Sequence, residues 1–307
     1  MPITLIEAAK QANDPLKSGV IEMFAQSSEL LRVLPFENIS GNAIKYNREG
    51  ELPGVAFRGV NEAYSEDAGV LNPVTESLVI AGGDLDVDKF IIDTQGAAVR
   101  ATHEAMKIKA LAASISKKII KGDSDTDPRE FDGLQKRLTG NQVINAGTGS
   151  GTALSLKKLD EVIDAVMNPT HIIVSKAIRR LLSAAARSSS VGGYITYQAD
   201  EFGRKVAYYN DLPLIVLEDA DGSEILGFDE AASGAASPAN TCSLYVVSLA
   251  PDKMTGIQNG VMDVRDLGEL NTKPVYRTRV EWYNGLCLYH GRSAARLRDI
   301  TNAAVTA

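Results

Sequence analysis

The stretch that most narrows what this chain can become lies near its end. From Val275 to His290 the even positions read Tyr276, Thr278, Val280, Trp282, Asn284, Leu286 and Leu288, and the odd ones Arg277, Arg279, Glu281, Tyr283, Gly285, Cys287 and Tyr289. One apolar and one mostly polar face persist for 16 residues, which is the period-2 signature of a half-buried strand. At ~3.3 Å per residue that strand is about 50 Å long, where most run 3–10 residues. Gly285 within it marks a bulge or bend. A helix of similar scale is predicted from Ala97 to Lys121, a run without Gly or Pro between Gly96 and Gly122. Ile108, Leu111, Ile115 and Ile119 share one stripe and the lysines keep mostly to the other side. That helix is roughly 37 Å long, and its last lysines suit a helix C-terminus. Together the two elements predict a stretched body.

Residues 37–95 have a different character. Glycines recur at 41, 50, 54, 59, 69, 82 and 83 and prolines at 53 and 73, with alternating runs at Ala43–Arg48 and Asp84–Asp88 between them. These are strand signals with few large apolar groups on either face, so a tongue of this kind must dock on its own body or on another copy. Residues 1–36 read as short helical pieces broken at Asn13-Asp14-Pro15, with Ile21, Phe24, Leu30, Leu31 and Val33 as scattered anchors. They predict an arm lying across something else. After the long helix, Leu156–Met167 is a helix ended by Asn168-Pro169, His171–Val174 a strand, and Ser175 the cap of a helix with Ile178, Leu181, Leu182 and Ala185 on one face. Strands follow around Tyr194–Tyr197, Lys205–Tyr209, Leu212–Leu217 and Ser243–Leu249, with a small-residue loop at Ala231–Ala239. This is a compact α+β unit.

Composition removes several function classes. A net charge of −7 over 307 residues argues against a chain that grips nucleic acid along its surface. Cys242 and Cys287 are too few for a disulfide framework and read as free, buried thiols of a reducing compartment. No apolar run reaches membrane-span length, and the first residues lack the basic start of a secretion signal. Gly147–Gly151 is glycine-rich, but the third Rossmann glycine position falls on Thr152, no buried strand precedes it, and no Lys-Ser/Thr follows, so it reads as a connector. Asp123-Ser124-Asp125-Thr126-Asp127 opens like a calcium loop, then puts Pro128 at the turn and Leu134 at the closing ligand, so it reads as a solvated turn. His103, His171 and His290 stand singly, and Ser188–Ser190 lacks nucleophile-elbow glycines. No catalytic, cofactor-binding or metal-binding residue is assigned, and no cofactor is expected. An enzyme reading survives only through the Gly147–Gly151 loop. Arg277, Arg279, Arg292, Arg296 and Arg298 make the C-terminal region basic. They read either as a salt-bridged strand face or, as favoured here, as an inter-subunit ion-pair surface.

In their order, these elements resemble the major capsid proteins of tailed bacteriophages with the Hong Kong 97-type shell fold. The resemblance rests on Ala43–Glu49 through Gly54–Arg58, on Gly122-Asp123 followed by Glu130–Leu134, and on Val280–Leu286 leading to Ala294–Leu297. It implies an α+β shell fold with an N-terminal arm (1–36), an extended β-loop (37–95), a peripheral domain of spine helix and long strands (96–150 and 271–307), and an axial domain (151–270). It implies a structural, non-enzymatic subunit, building hexamers and pentamers of an icosahedral shell around double-stranded DNA in the virion, made and assembled in the host cytoplasm. Its implied partners are further copies of itself, a separate scaffolding protein (since only about 36 residues precede the loop), a portal protein, a decoration protein, and DNA held without sequence preference; no membrane is implied. Arg48, Phe57, Arg58, Arg277, Arg279 and Glu281 are the expected inter-subunit contacts. An encapsulin-like compartment shell holding cargo enzymes is the alternative within the same fold.

Overall fold

The computed structural model describes residues 4, 5, 23, 24, 27–64, 66–96, 98–147, 149–187, 195–199, 205–234 and 240–306. The Asn13–Pro15 break, Ile21, Ser188–Ser190, Thr148 and the end of the Ala231–Ala239 loop lie outside these residues. In chain order the elements are α1 (Glu29–Val33), β1 (Phe36–Asn38), β2 (Ala43–Glu51), β3 (Val70–Ser77), β4 (Val79–Asp88), α2 (Lys89–Gln95), α3 (Ala98–Lys121), α4 (Leu134–Arg137), β5 (Val143–Asn145), α5 (Leu156–Ala165), β6 (His171–Val174) and α6 (Lys176–Ala185). Then come β7 (Ile195–Ala199), β8 (Lys205–Tyr209), β9 (Leu212–Val216), β10 (Thr241–Val247), β11 (Met254–Gln258), β12 (Asp263–Glu269), β13 (Val275–Leu288) and β14 (Ala294–Thr301).

The long alternating run is β13, and its length lets it serve three partners. All three are antiparallel: β4 pairs residues 275–284, β12 pairs 276–281 and β11 pairs 284–288. With β1 added in parallel to β11, this is a five-stranded sheet. The even face of β13 is buried from Thr278 onward, as the alternation predicts. Trp282, 1% exposed, sits at its centre with the rings of Phe24 and Phe36 at 5.2 and 5.1 Å between centroids. Its indole N–H donates to Gln258 Oε1 at 3.0 Å, so its one polar atom is satisfied inside the core. The α3 stripe of Ile108, Ile115 and Ile119, with Ala112 and Ile120, packs into the same cluster, while Leu111 stays half-buried. A second sheet runs β5-β14-β10-β6-β9-β8-β7. Its core comes from the apolar faces of α5 (Leu156, Leu159, Val162, Ile163) and α6 (Ile178, Leu182, Ala185). Ser175 Oγ accepts from the Ile178 N–H at 3.0 Å, the expected cap.

The sheets do not follow the domain boundaries read from sequence. β4, placed with the extended loop, is a strand of the β13 sheet. β11 and β12, inside the 151–270 segment, belong to that sheet too. Ala294–Leu297, placed with the closing strand of the 271–307 segment, starts β14, which pairs with β10 in the seven-stranded sheet. The physical reason is burial. Ala294, Ala295, Leu297 and Ile300 are all fully buried, and their side chains divide between both cores. The chain therefore leaves one sheet after Leu288 and enters the other within six residues.

Candidate assembly surface

Among the described residues, the two-stranded tongue of β2 and β3 pairs with no other sheet. Its half-buried face carries Ile44, Tyr46, Arg48, Val74 and Glu76, and the base of that face is fixed to the body by polar contacts. Arg137, on α4, makes a two-pronged ion pair with Glu76, one arm at 2.7 Å, and its Nε donates to Asp132 O at 2.5 Å. The two side chains are only 9% and 13% exposed. Burial works against the charge on Arg137, and the Glu76 carboxylate outweighs it, leaving the guanidinium pKa raised. Beside this pair the Tyr46 ring meets Tyr289 edge-on at 4.8 Å, its hydroxyl donates to Leu288 O at 3.1 Å, and Tyr289 donates to Glu37 Oε2 at 2.8 Å. Burial pushes the Tyr46 hydroxyl up. At Gly285 the chain end of β3 passes so close that a Cβ would lie 3.1 Å from Ser77 O and 3.0 Å from Ile257. The glycine that sequence reads as a bend is a crossing point.

Beyond this base the tongue opens into residues 52–69. Leu52, Val55, Phe57, Val60 and Tyr64 are 75, 87, 100, 93 and 68% exposed. Local bonds shape the loop without covering them: Gly54 N donates to Asp67 Oδ2 at 2.5 Å, Gly59 N to Glu62 Oε2 at 2.7 Å, and Arg58 stacks 5.0 Å over Tyr64. Burying a side chain of this size yields about 1.5–3 kcal/mol, so a row of them facing water marks a surface that acquires a cover. Arg48, half-buried on the tongue's inner face, has its Nε out of water with no hydrogen-bond partner. Phe57, Arg58 and Arg48 thus stand where the chain has spare contact capacity.

The C-terminal arginines, expected at an inter-subunit surface, also have partners within the chain. Arg277 pairs with Asp86 at 2.6 Å and with Asp84 at 3.1 Å, and Arg279 pairs with Asp84 at 2.6 Å. Glu281 is engaged by Arg265. Arg296 holds Glu230 at 2.7 Å, Arg298 holds Asp299 at 3.2 Å, and Arg292 donates to the Asp164 and Ala165 carbonyls. The cause is strand register: β4 lays Asp86 opposite Arg277 and Asp84 opposite Arg279. These guanidiniums hold both aspartates below the usual carboxylate range. Within the chain this strand face is salt-bridged.

Other motifs also find uses within the chain. In the acidic loop, the Lys136 ammonium lies 2.6, 2.9 and 3.0 Å from Asp123, Asp125 and Asp132, where a cation would otherwise sit, and draws Asp123 down to about 2. In the glycine-rich loop, Gly151 takes a φ of +89° and packs against Asp299 O and Thr241, so a Cβ there would lie 2.8 Å from that carbonyl. Both cysteines are buried and free, and burial pushes Cys287 up to about 12. Among the described residues no group of three or more His, Cys, Asp or Glu side chains is placed to hold a metal. Among them, no helix is long and apolar enough to cross a membrane.

A long helix laid on a five-stranded sheet, a two-stranded tongue and a second, seven-stranded sheet make up a Hong Kong 97-type fold. The encapsulin SrpI of Synechococcus elongatus PCC 7942 has this fold at 16% identity, with a TM-score of 0.64 over 91% of this chain and 89% of that one. Microbacterium phage Oxtober96 has it at 12% identity, with a TM-score of 0.63 over 89% and 90%. The capsid of a native GTA particle is similar at 14% identity, with a TM-score of 0.61 over 90% and 91%. No curated protein matches. Residues 13–157, just under half of the chain, match the family model described as Major capsid protein GP7. That stretch of the chain is similar to the family, and the fold as a whole is shared with the three solved structures.

Proposed function

We propose that copies of this chain assemble into hexamers and pentamers of a closed icosahedral shell around double-stranded phage DNA. One observation carries the reading: a tongue anchored at its base by a buried ion pair presents an uncovered apolar tip. A tip of this kind gains order by burial between chains, and a closed lattice repeats the contact many times, so modest individual contacts suffice. Arg48, Phe57 and Arg58 are the residues that meet the neighbour. The acidic balance fits a container that packs DNA without adhering to it. A separate scaffolding protein, a portal and a decoration protein are the partners such a shell needs or accepts, and assembly takes place in the host cytoplasm.

The likeness to an encapsulin supports a second reading, a compartment shell with protein cargo. Purified particles decide between them. Nuclease-resistant double-stranded DNA released by denaturing the shell is the result expected here, and a protein cargo without DNA is the result that favours the compartment. A chain that stays monomeric at every concentration, with scaffold supplied, overturns both.

A further inference from the structure

An asparagine followed by glycine is thermolabile because glycine, having no Cβ, leaves its own backbone nitrogen free to approach the asparagine side chain. The chain contains two such pairs, Asn259-Gly260 and Asn284-Gly285, and the fold treats them oppositely. Asn284 lies within β13, only 2% exposed, with its side-chain nitrogen and oxygen both out of water. It is registered against Gln258 of β11 on one edge and Val79 of β4 on the other. Ser77 O and Ile257 close in on Gly285. A residue paired on both edges cannot turn its backbone toward its own side chain without breaking the ladder.

Asn259 and Gly260 stand where β11 has ended and β12 has not begun, and both are exposed. Gly260 has a φ of +75°, with nothing within 4 Å of the place a Cβ would take. Among the described residues its N–H donates to no acceptor. The backbone N–H of Asn259 reaches Tyr283 O at 3.3 Å, a long bond beyond the end of the ladder. The nitrogen of Gly260 is thus unshielded and unbonded, in a bend that can rearrange while both strands keep their pairing. The Asn259 side chain also makes a connection across the fold. Its Nδ2 donates to Gly41 O at 3.0 Å, between β1 and β2, and so ties this bend to the root of the tongue.

We propose that Asn259 is a deamidation site of the folded chain, and that its conversion unties the β11–β12 bend from the tongue root. The Gly260 nitrogen gives up its proton to solvent base and bonds to Asn259 Cγ, the Cγ–Nδ2 bond breaks, and ammonia leaves. Water then opens the resulting succinimide at either carbonyl, giving aspartate or isoaspartate. The new carboxylate has no hydrogen to donate, so two acceptors face each other where Gly41 O had a donor. The test ages the full chain, native and denatured, in mildly alkaline buffer and reads both pairs by peptide mass spectrometry, with isoaspartate labelled enzymatically. The acid product is expected at 259 and not at 284 in the native chain, and at both positions in the denatured one. An amide retained at 259 in the native chain while the denatured chain converts it overturns the proposal. So does equal conversion of 259 and 284 in the native chain. Amide hydrogen exchange reads the consequence: exchange around Gly41 is expected to be faster in the aged native chain and in fresh Asn259→Asp than in the fresh parent chain. An unchanged rate in either overturns the untying.

Discussion

Glu76 and Arg137 illustrate how much a single pair decides here. They lie 61 residues apart in sequence, so no spacing or motif links them, and neither stands out from the charges around it. Only the folded chain shows that the tongue is fixed through them. Removing one partner leaves the other charge almost out of water, which costs about 3–5 kcal/mol. Glu76→Ala should lower stability by that order in chemical denaturation, and the double change Glu76→Met, Arg137→Met should recover much of it. An equal loss in both would show that the pair contributes little. His171 offers a pH-linked case. Burial first, and the nearby Arg32 charge second, lower its pKa from 6.5 to about 4. A folded-state pKa below the unfolded one means the unfolded chain binds more protons between pH 4 and 6.5. Stability is thus fully present above about 6.5 and falls on acidification, by on the order of 3 kcal/mol. His171→Gln should flatten that part of the stability-against-pH curve, and an unchanged slope would assign it to other groups.

Elements with strong local periodicity were readable from sequence, and those defined by their partners were not. β13, α3, α5 and α6 each carry their pattern within their own residues. β3 holds Pro73, which argues against an interior strand and is tolerated here because the tongue is only two strands wide. β11 is buried at every residue, so it shows no alternation, and β1 is only three residues long. β4 does alternate, yet its assignment to the β13 sheet depends on a pairing made with residues almost two hundred positions away. The ion pairs of Arg277 and Arg279 were hidden for the same reason: their aspartates arrive on a distant strand. The tongue's tip, by contrast, has no partner to find. Replacing residues 52–69 with a short Gly-Ser turn should leave the monomer's denaturation midpoint unchanged and abolish particle formation. A lowered midpoint would mean that the tip packs on its own body.

At the scale of the whole molecule, two cores share one chain through Ala294 and Ala295, neighbours that face opposite clusters. One long strand, β13, joins three partners along its length. The tip and Arg48, whose Nε has no hydrogen-bond partner, both belong to the tongue. A density map of assembled particles, produced with scaffold present, tests this most directly. The account predicts a closed lattice in which the tip around Phe57 lies on an adjacent subunit and is buried there. Tips folded back onto their own subunit, or chains that never close into a shell, would contradict it.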